Sequence, residues 1–156
     1  MYDIILLAYD GSRETRVALR EGAELARHCG SRVHLLSIVA MPLGIAAGEA
    51  FNAGIVIENE IACYQAILDE GLARIRAKGL QADGQIVSGD PIEQIVRHAR
   101  ELDADLVVLG HVARRGLARW WHSSVGASLL DELDCSVLVA MRHPDEETAE
   151  AGKKRS

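Results

Sequence analysis

The sequence predicts an α/β domain built on a parallel sheet, and three observations carry that prediction. Short β-rich runs alternate with helical stretches along the whole chain. Aromatic residues are only 4% of a chain that is 49% hydrophobic, so the core is built from Val, Ile, Leu and Ala, as suits strands buried on both faces. At 156 residues the chain is one domain's worth, long enough for a single core without disulfide or metal staples.

The elements follow in order. Ile4–Ala8 is the first strand. Tyr9-Asp10-Gly11-Ser12 breaks it, and Ser12 is placed to cap the next helix. In that helix Thr15, Ala18, Leu19, Gly22, Leu25, Ala26 and Cys29 share one face, and Gly30 supplies the stop. Val33–Val39 is the second strand. Residues 40–54 hold Pro42, Gly44, Gly48 and Gly54, too many breakers for a regular element. A long helix follows, with Ile57, Ile61, Tyr64, Ile67, Leu68, Leu72 and Ile75 as its apolar stripe and Gly79 as its end. Ala82–Ser88 is a third strand. Asp90-Pro91-Ile92-Glu93 then opens a helix with a cap, a proline in the first turn and a glutamate three residues after the cap. Its buried face is Ile92, Ile95, Val96, Ala99 and Leu102. Asp105–Gly110 is the clearest buried strand, residues 110–122 a long loop, and Ser123 or Ser124 caps a last helix through Leu133. Ser136–Met141 is strand five, and its flat apolar edge calls for a pairing partner. The domain spans residues 1–142, and the charged tail 143–156 reads as disordered.

Composition excludes several classes of function. The formal net charge of −6 argues against nucleic acid and anionic membranes as partners, because phosphate backbones are held by clustered Lys and Arg. No apolar run approaches the ~18 residues of a bilayer span, and no basic segment with an apolar stretch and cleavage site opens the chain, so the expected location is the cytoplasm. Cys29, Cys63 and Cys135 are scattered, read as buried reduced thiols, and make neither a disulfide framework nor a zinc site. The six histidines show no metal-ligand spacing, and no Ser-His-Asp or Cys-His set is present.

Open parallel sheets bind ligands beyond the carboxyl ends of their strands, where the strand order reverses. Asp10 stands at such an end. It is read either as an acceptor for a ligand amine or hydroxyl or as a second cap for the first helix. The stretch from Gly110 to Ser124 ends at a helix start and carries Arg114, Arg115 and Arg119. Backbone N–H groups, a serine hydroxyl and local positive charge together suit a phosphate, the alternative being that Ser124 is only a helix cap and the arginines only a solvated loop. Trp120-Trp121 is read as packing this loop onto the sheet, with an exposed ring that meets a partner as the alternative.

Four ordered pieces resemble the universal stress protein family over about residues 1–141: Asp10-Gly11-Ser12 after the first strand, Ser88-Gly89-Asp90-Pro91, Ala104-Asp105-Leu106-Val107-Val108-Leu109-Gly110, and Cys135-Ser136-Val137-Leu138-Val139-Ala140. The resemblance implies a three-layer, Rossmann-like fold of the adenine nucleotide alpha hydrolase-like type, with five parallel strands in the order 3-2-1-4-5. It also implies a homodimer through strand 136–141 and a site for ATP or AMP, with Mg²⁺ as an optional companion and neither needed for folding. Carried over, Asp10 contacts the ribose or base, and backbone near Ile38–Val39, with Val39 at the strand end, reaches the adenine. The family's ATP loop has the form G-x2-G-x9-G-[ST]. Here the spacing is kept, with Gly110 first, Ala113 and Ser123 in place of the other two glycines, and Ser124 as the hydroxyl residue, followed by Val125. Loss of two glycines removes backbone freedom near the phosphates. The resemblance therefore implies a stress-response regulator that binds adenine nucleotide weakly at the ends of strands one and four, with at most slow ATP hydrolysis. The paired serines also resemble the family's non-ATP-binding subclass, for which the reading is a nucleotide-free dimeric module that meets a protein partner.

Overall fold

The computed structural model describes residues 1–39, 50–110 and 129–141, and for residues 50–60 it describes the backbone. Strands β1 (Ile4–Ala8), β2 (Arg32–Val39), β3 (Ala82–Ser88), β4 (Leu106–Gly110) and β5 (Ser136–Ala140) form one parallel sheet in the order β3-β2-β1-β4-β5. Helices α1 (Arg13–Cys29), α2 (Ala50–Arg76) and α3 (Pro91–Glu101) make the crossovers, and a helical turn over 129–132 precedes β5. The order reverses between β1 and β4, as the resemblance implies.

Strand alternation sorts the core into two layers of contact. Ile5, Leu7, Val33, Leu35 and Val108 face α1 and α2. Leu6, Ala8, Leu36, Val107 and Leu109 face α3 and Leu129. All five residues of β4 are buried, which its unbroken apolar run anticipates. Helix ends follow local chemistry. Ser12 Oγ accepts the Thr15 N–H at 3.3 Å, Asp90 Oδ1 accepts the Glu93 N–H at 3.0 Å, and Gly30 closes α1 at φ 73° with its N–H on the Ala26 carbonyl.

Three expectations are corrected. Residues 50–54 are already helical, Gly54 included, because α2 starts at Ala50. Ile61 lies on the predicted stripe yet is 44% exposed. Twenty-seven residues make a helix of ~40 Å, whereas a seven-residue strand spans ~23 Å, so α2 outruns the sheet. Gly11, already past the end of β1, packs on Ile67, so the turns before Ile67 lie beyond the end of β1. The thiols are free but not buried: Cys63 is exposed, and Cys29 and Cys135 are partly so. On α1, Val17 and Ala23 join the buried face, while Leu25 and Cys29 lie at its margin. The tail from residue 142 lies outside the described residues.

Candidate functional site

The carboxyl end of β1 is shaped by side chains from its neighbours. Tyr9 is the last core residue there, 2% exposed, with its N–H on the Leu36 carbonyl at 2.9 Å. Its own carbonyl accepts the buried Ser37 hydroxyl at 2.7 Å. The chain is thus pinned to β2 on both sides of the peptide before it emerges at Asp10. Gly11 takes φ +74°, and a Cβ there would stand 2.8 Å from Ile67 Cγ2, so both backbone conformation and space require glycine.

Asp10 is exposed and does structural work with one oxygen. Its Oδ1 accepts the Ser12 N–H at 2.9 Å and the Thr15 hydroxyl at 2.8 Å. Its Oδ2 has no hydrogen-bond partner among the described residues. Both readings of Asp10 therefore fit one side chain: one oxygen shapes the start of α1, and the other is without a partner among the described residues.

That carboxylate borders a cleft of about 70 Å³. Ala8 and Tyr9, Leu36 and Ile38 of β2, and Pro91 and Ile95 of α3 line it, with Asp10 and Thr15 supplying polar side chains. It sits on the β1–β2 side of the switch point. Val39 is the last residue of β2, paired with Ser88, and its carbonyl accepts the Gly89 N–H at 3.2 Å.

Gly110 ends β4, and a Cβ there would lie 2.6 Å from the Glu14 carbonyl oxygen and 2.9 Å from the Thr15 nitrogen. Its glycine lets the backbone of the first turn of α1 rest on the end of β4. This contact brings Thr15, and through it Asp10, beside the first residue of the predicted phosphate loop. The other loop residues singled out from sequence, Ala113, Ser123, Ser124 and Val125, lie outside the described residues. So do His111, Arg114, Arg115, Arg119, Trp120, Trp121 and His122.

Charge around the cleft is local. Two described helix N-termini approach it, those of α1 and α3, and each is capped by its own acceptors, Ser12 with Asp10 and Asp90. Burial pushes the Tyr9 phenol above its ordinary pKa, and the nearby Arg16 guanidinium opposes the rise. The Tyr9 hydroxyl makes no hydrogen bond of normal geometry among the described residues. No three His, Cys, Asp or Glu side chains among them converge to hold a metal ion.

Sequence reasoning places Thr15 as one more residue on the apolar face of α1 and misses its hydroxyl. It is 1% exposed but fully engaged, and a hydroxyl residue three after a capping serine is the available signal. The backbone approach at Gly110 leaves no local signal.

The model of the universal stress protein family matches residues 1–140. A stress response protein of Bacillus subtilis, NhaX, is 26% identical over 160 residues, covering 88% of this chain and 96% of its own. Universal stress protein UspA from Lactobacillus plantarum superposes with a TM-score of 0.77 at 20% identity, over 89% of this chain and 97% of that one. A family protein from Arabidopsis thaliana, solved with AMP bound, superposes with a TM-score of 0.66 at 19% identity, over 92% and 94%. The two structures share the fold, and the match of the family model from the first strand to the last makes this chain a member of the universal stress protein family.

Proposed function

We propose that this protein binds an adenine nucleotide, ATP or AMP, weakly at the carboxyl ends of β1 and β4, and acts in the stress response as a dimeric regulator. The observation that carries this reading is the cleft at the end of β1, apolar on three sides and bordered by Asp10, whose Oδ2 has no hydrogen-bond partner among the described residues. Apolar walls with a few placed polar groups are what a planar base and its sugar require. Asp10 Oδ2 would accept from the ribose or base, and the backbone at Val39 would lie along the adenine. The caps on α1 and α3 are occupied by the chain's own side chains. On the family pattern the phosphates would be held by Gly110, Ala113, Ser123, Ser124 and Val125, with any Mg²⁺ travelling on them. The Arabidopsis relative with AMP bound supports the ligand class. The reading assigns at most slow hydrolysis and no other catalysis.

Assembly through β5 is supported by the contrast between the two sheet edges. The β3 edge carries the charged Asp83, which discourages further pairing, whereas Ser136–Ala140 holds no charge. Val139→Lys should convert a dimer to a monomer by light scattering, and an unchanged dimer would move the interface elsewhere.

The nucleotide reading is tested by calorimetry with ATP, AMP and cyclic AMP on the wild type and on Asp10→Ala. The variant should lose ~1–3 kcal/mol of binding, the range for a hydrogen bond to a charged group. No binding of any of them at millimolar concentration would favour the nucleotide-free interaction module instead.

A further inference from the structure

We propose that Thr15 is the positioning residue of the Asp10 carboxylate, holding Oδ1 on the first turn of α1 so that Oδ2 is the oxygen left for a ligand. For its ligand this rests on the nucleotide reading, but its geometry stands without it.

An exposed aspartate after a strand is free to rotate about χ1 unless its oxygens are engaged. Here Oδ1 accepts two donors of unequal character. The Ser12 N–H at 2.9 Å is two residues away and closes a local turn. The Thr15 hydroxyl at 2.8 Å comes from inside α1. Thr15 is 1% exposed and β-branched, so its own rotamer is restricted by the helix and by packing. Its Oγ1 also lies 3.2 Å from the Ser12 carbonyl and 3.1 Å from Ser12 Oγ. Its backbone nitrogen sits where Gly110 admits the first turn of α1. Thr15 is therefore the rigid member of the set, fixed by burial, by helix geometry and by β4. Asp10 is the soft member that takes its orientation from it. Both residues line the cleft, so a change in this bond changes the acceptor presented there.

The test uses the full chain in four forms besides wild type: Thr15→Val, Thr15→Ser, Asp10→Ala and the Asp10→Ala, Thr15→Val double variant. The Asp10 χ1 population is read without ligand from NMR α–β couplings. Wild type and Thr15→Ser should show one rotamer, and Thr15→Val an averaged one. AMP affinity, by calorimetry, should fall about tenfold in Thr15→Val, return in Thr15→Ser, and show no additional fall when Thr15→Val is added to Asp10→Ala. An unchanged Asp10 rotamer in Thr15→Val overturns the proposal. So does an equal loss of AMP affinity with and without Asp10, because that loss would come from the helix. If the wild type binds no AMP, the nucleotide reading fails while the couplings still decide the role of Thr15.

Discussion

Asp10 and Asp105 stand at opposite ends of the neighbouring strands β1 and β4, and each accepts two hydrogen bonds on a single carboxylate oxygen. At the carboxyl end the donors are local, the Ser12 N–H and the Thr15 hydroxyl. At the amino end the donors are the Asp3 and Ile4 N–H groups, at 2.8 and 2.9 Å on Asp105 Oδ2, so that acid ties the entry of β1 to the entry of β4. These two backbone N–H groups hold the Asp105 carboxyl below the usual carboxylate range. The surroundings separate the two further. Asp105 opens on a polar hollow of about 490 Å³ shared with Asp103 and Asp134, whose like charges repel an anionic ligand. Asp10 opens on a cleft of about 70 Å³ walled by Leu36, Ile38 and Ile95. Among the described residues each carboxylate thus keeps one oxygen without a hydrogen-bond partner, and the apolar wall beside Asp10 is what makes that end suit a ligand.

The contrast breaks most severely at Gly110, where the carboxyl end depends on backbone meeting backbone. Gly110→Ala should destabilise the fold by about 3 kcal/mol in urea unfolding, because the atoms it meets belong to the main chain of α1 and cannot rotate aside. A loss under about 1 kcal/mol would show that α1 can shift at no great expense.

A smaller effect is expected from Asp105→Ala, and it sharpens the comparison because it should depend on pH. The folded carboxyl is depressed, so its stabilisation is complete above the unfolded pKa of about 3.9 and is lost as the pH falls through the lower folded value. The variant should melt below wild type near neutrality, and the gap should close in acid. A constant gap would mean that charge plays no part. Nucleotide affinity should be unchanged in this variant, in contrast to Asp10→Ala.

The smallest effect is expected at Tyr9, beside the cleft but turned into the core. Its hydroxyl is buried without a partner of normal geometry among the described residues, so Tyr9→Phe should change stability by no more than ~0.5 kcal/mol. A loss above ~1 kcal/mol by denaturant unfolding would reveal a bridged hydroxyl, with the nearby Arg16 guanidinium as a candidate donor.

Local chemistry is legible in the amino-acid order alone. Ser12, Asp90 and Gly30 announce their helix ends because a cap acts within a few residues of itself. The run Leu106–Gly110 announces a strand buried on both faces, and the spacing of β-rich runs announces the parallel sheet. Asp10 is a candidate by its position at a strand end. The stripe of α2 is legible too, but it overreaches at Ile61, because periodicity tells which face is apolar and not how far the sheet beneath it extends.

By itself, then, the sequence determined the elements, their order, their caps and the family, since these depend on interactions between near neighbours and on ordered motifs. Only the tertiary structure decided which oxygen of Asp10 stays open, why Gly110 bears no side chain and what Asp105 is for. Each of those rests on groups brought together across the chain: Asp105 reaches Asp3 over 102 residues, and Gly110 meets Glu14 through the packing of α1 on β4. Contacts of that reach are set by how the layers close on one another, and no local pattern encodes them.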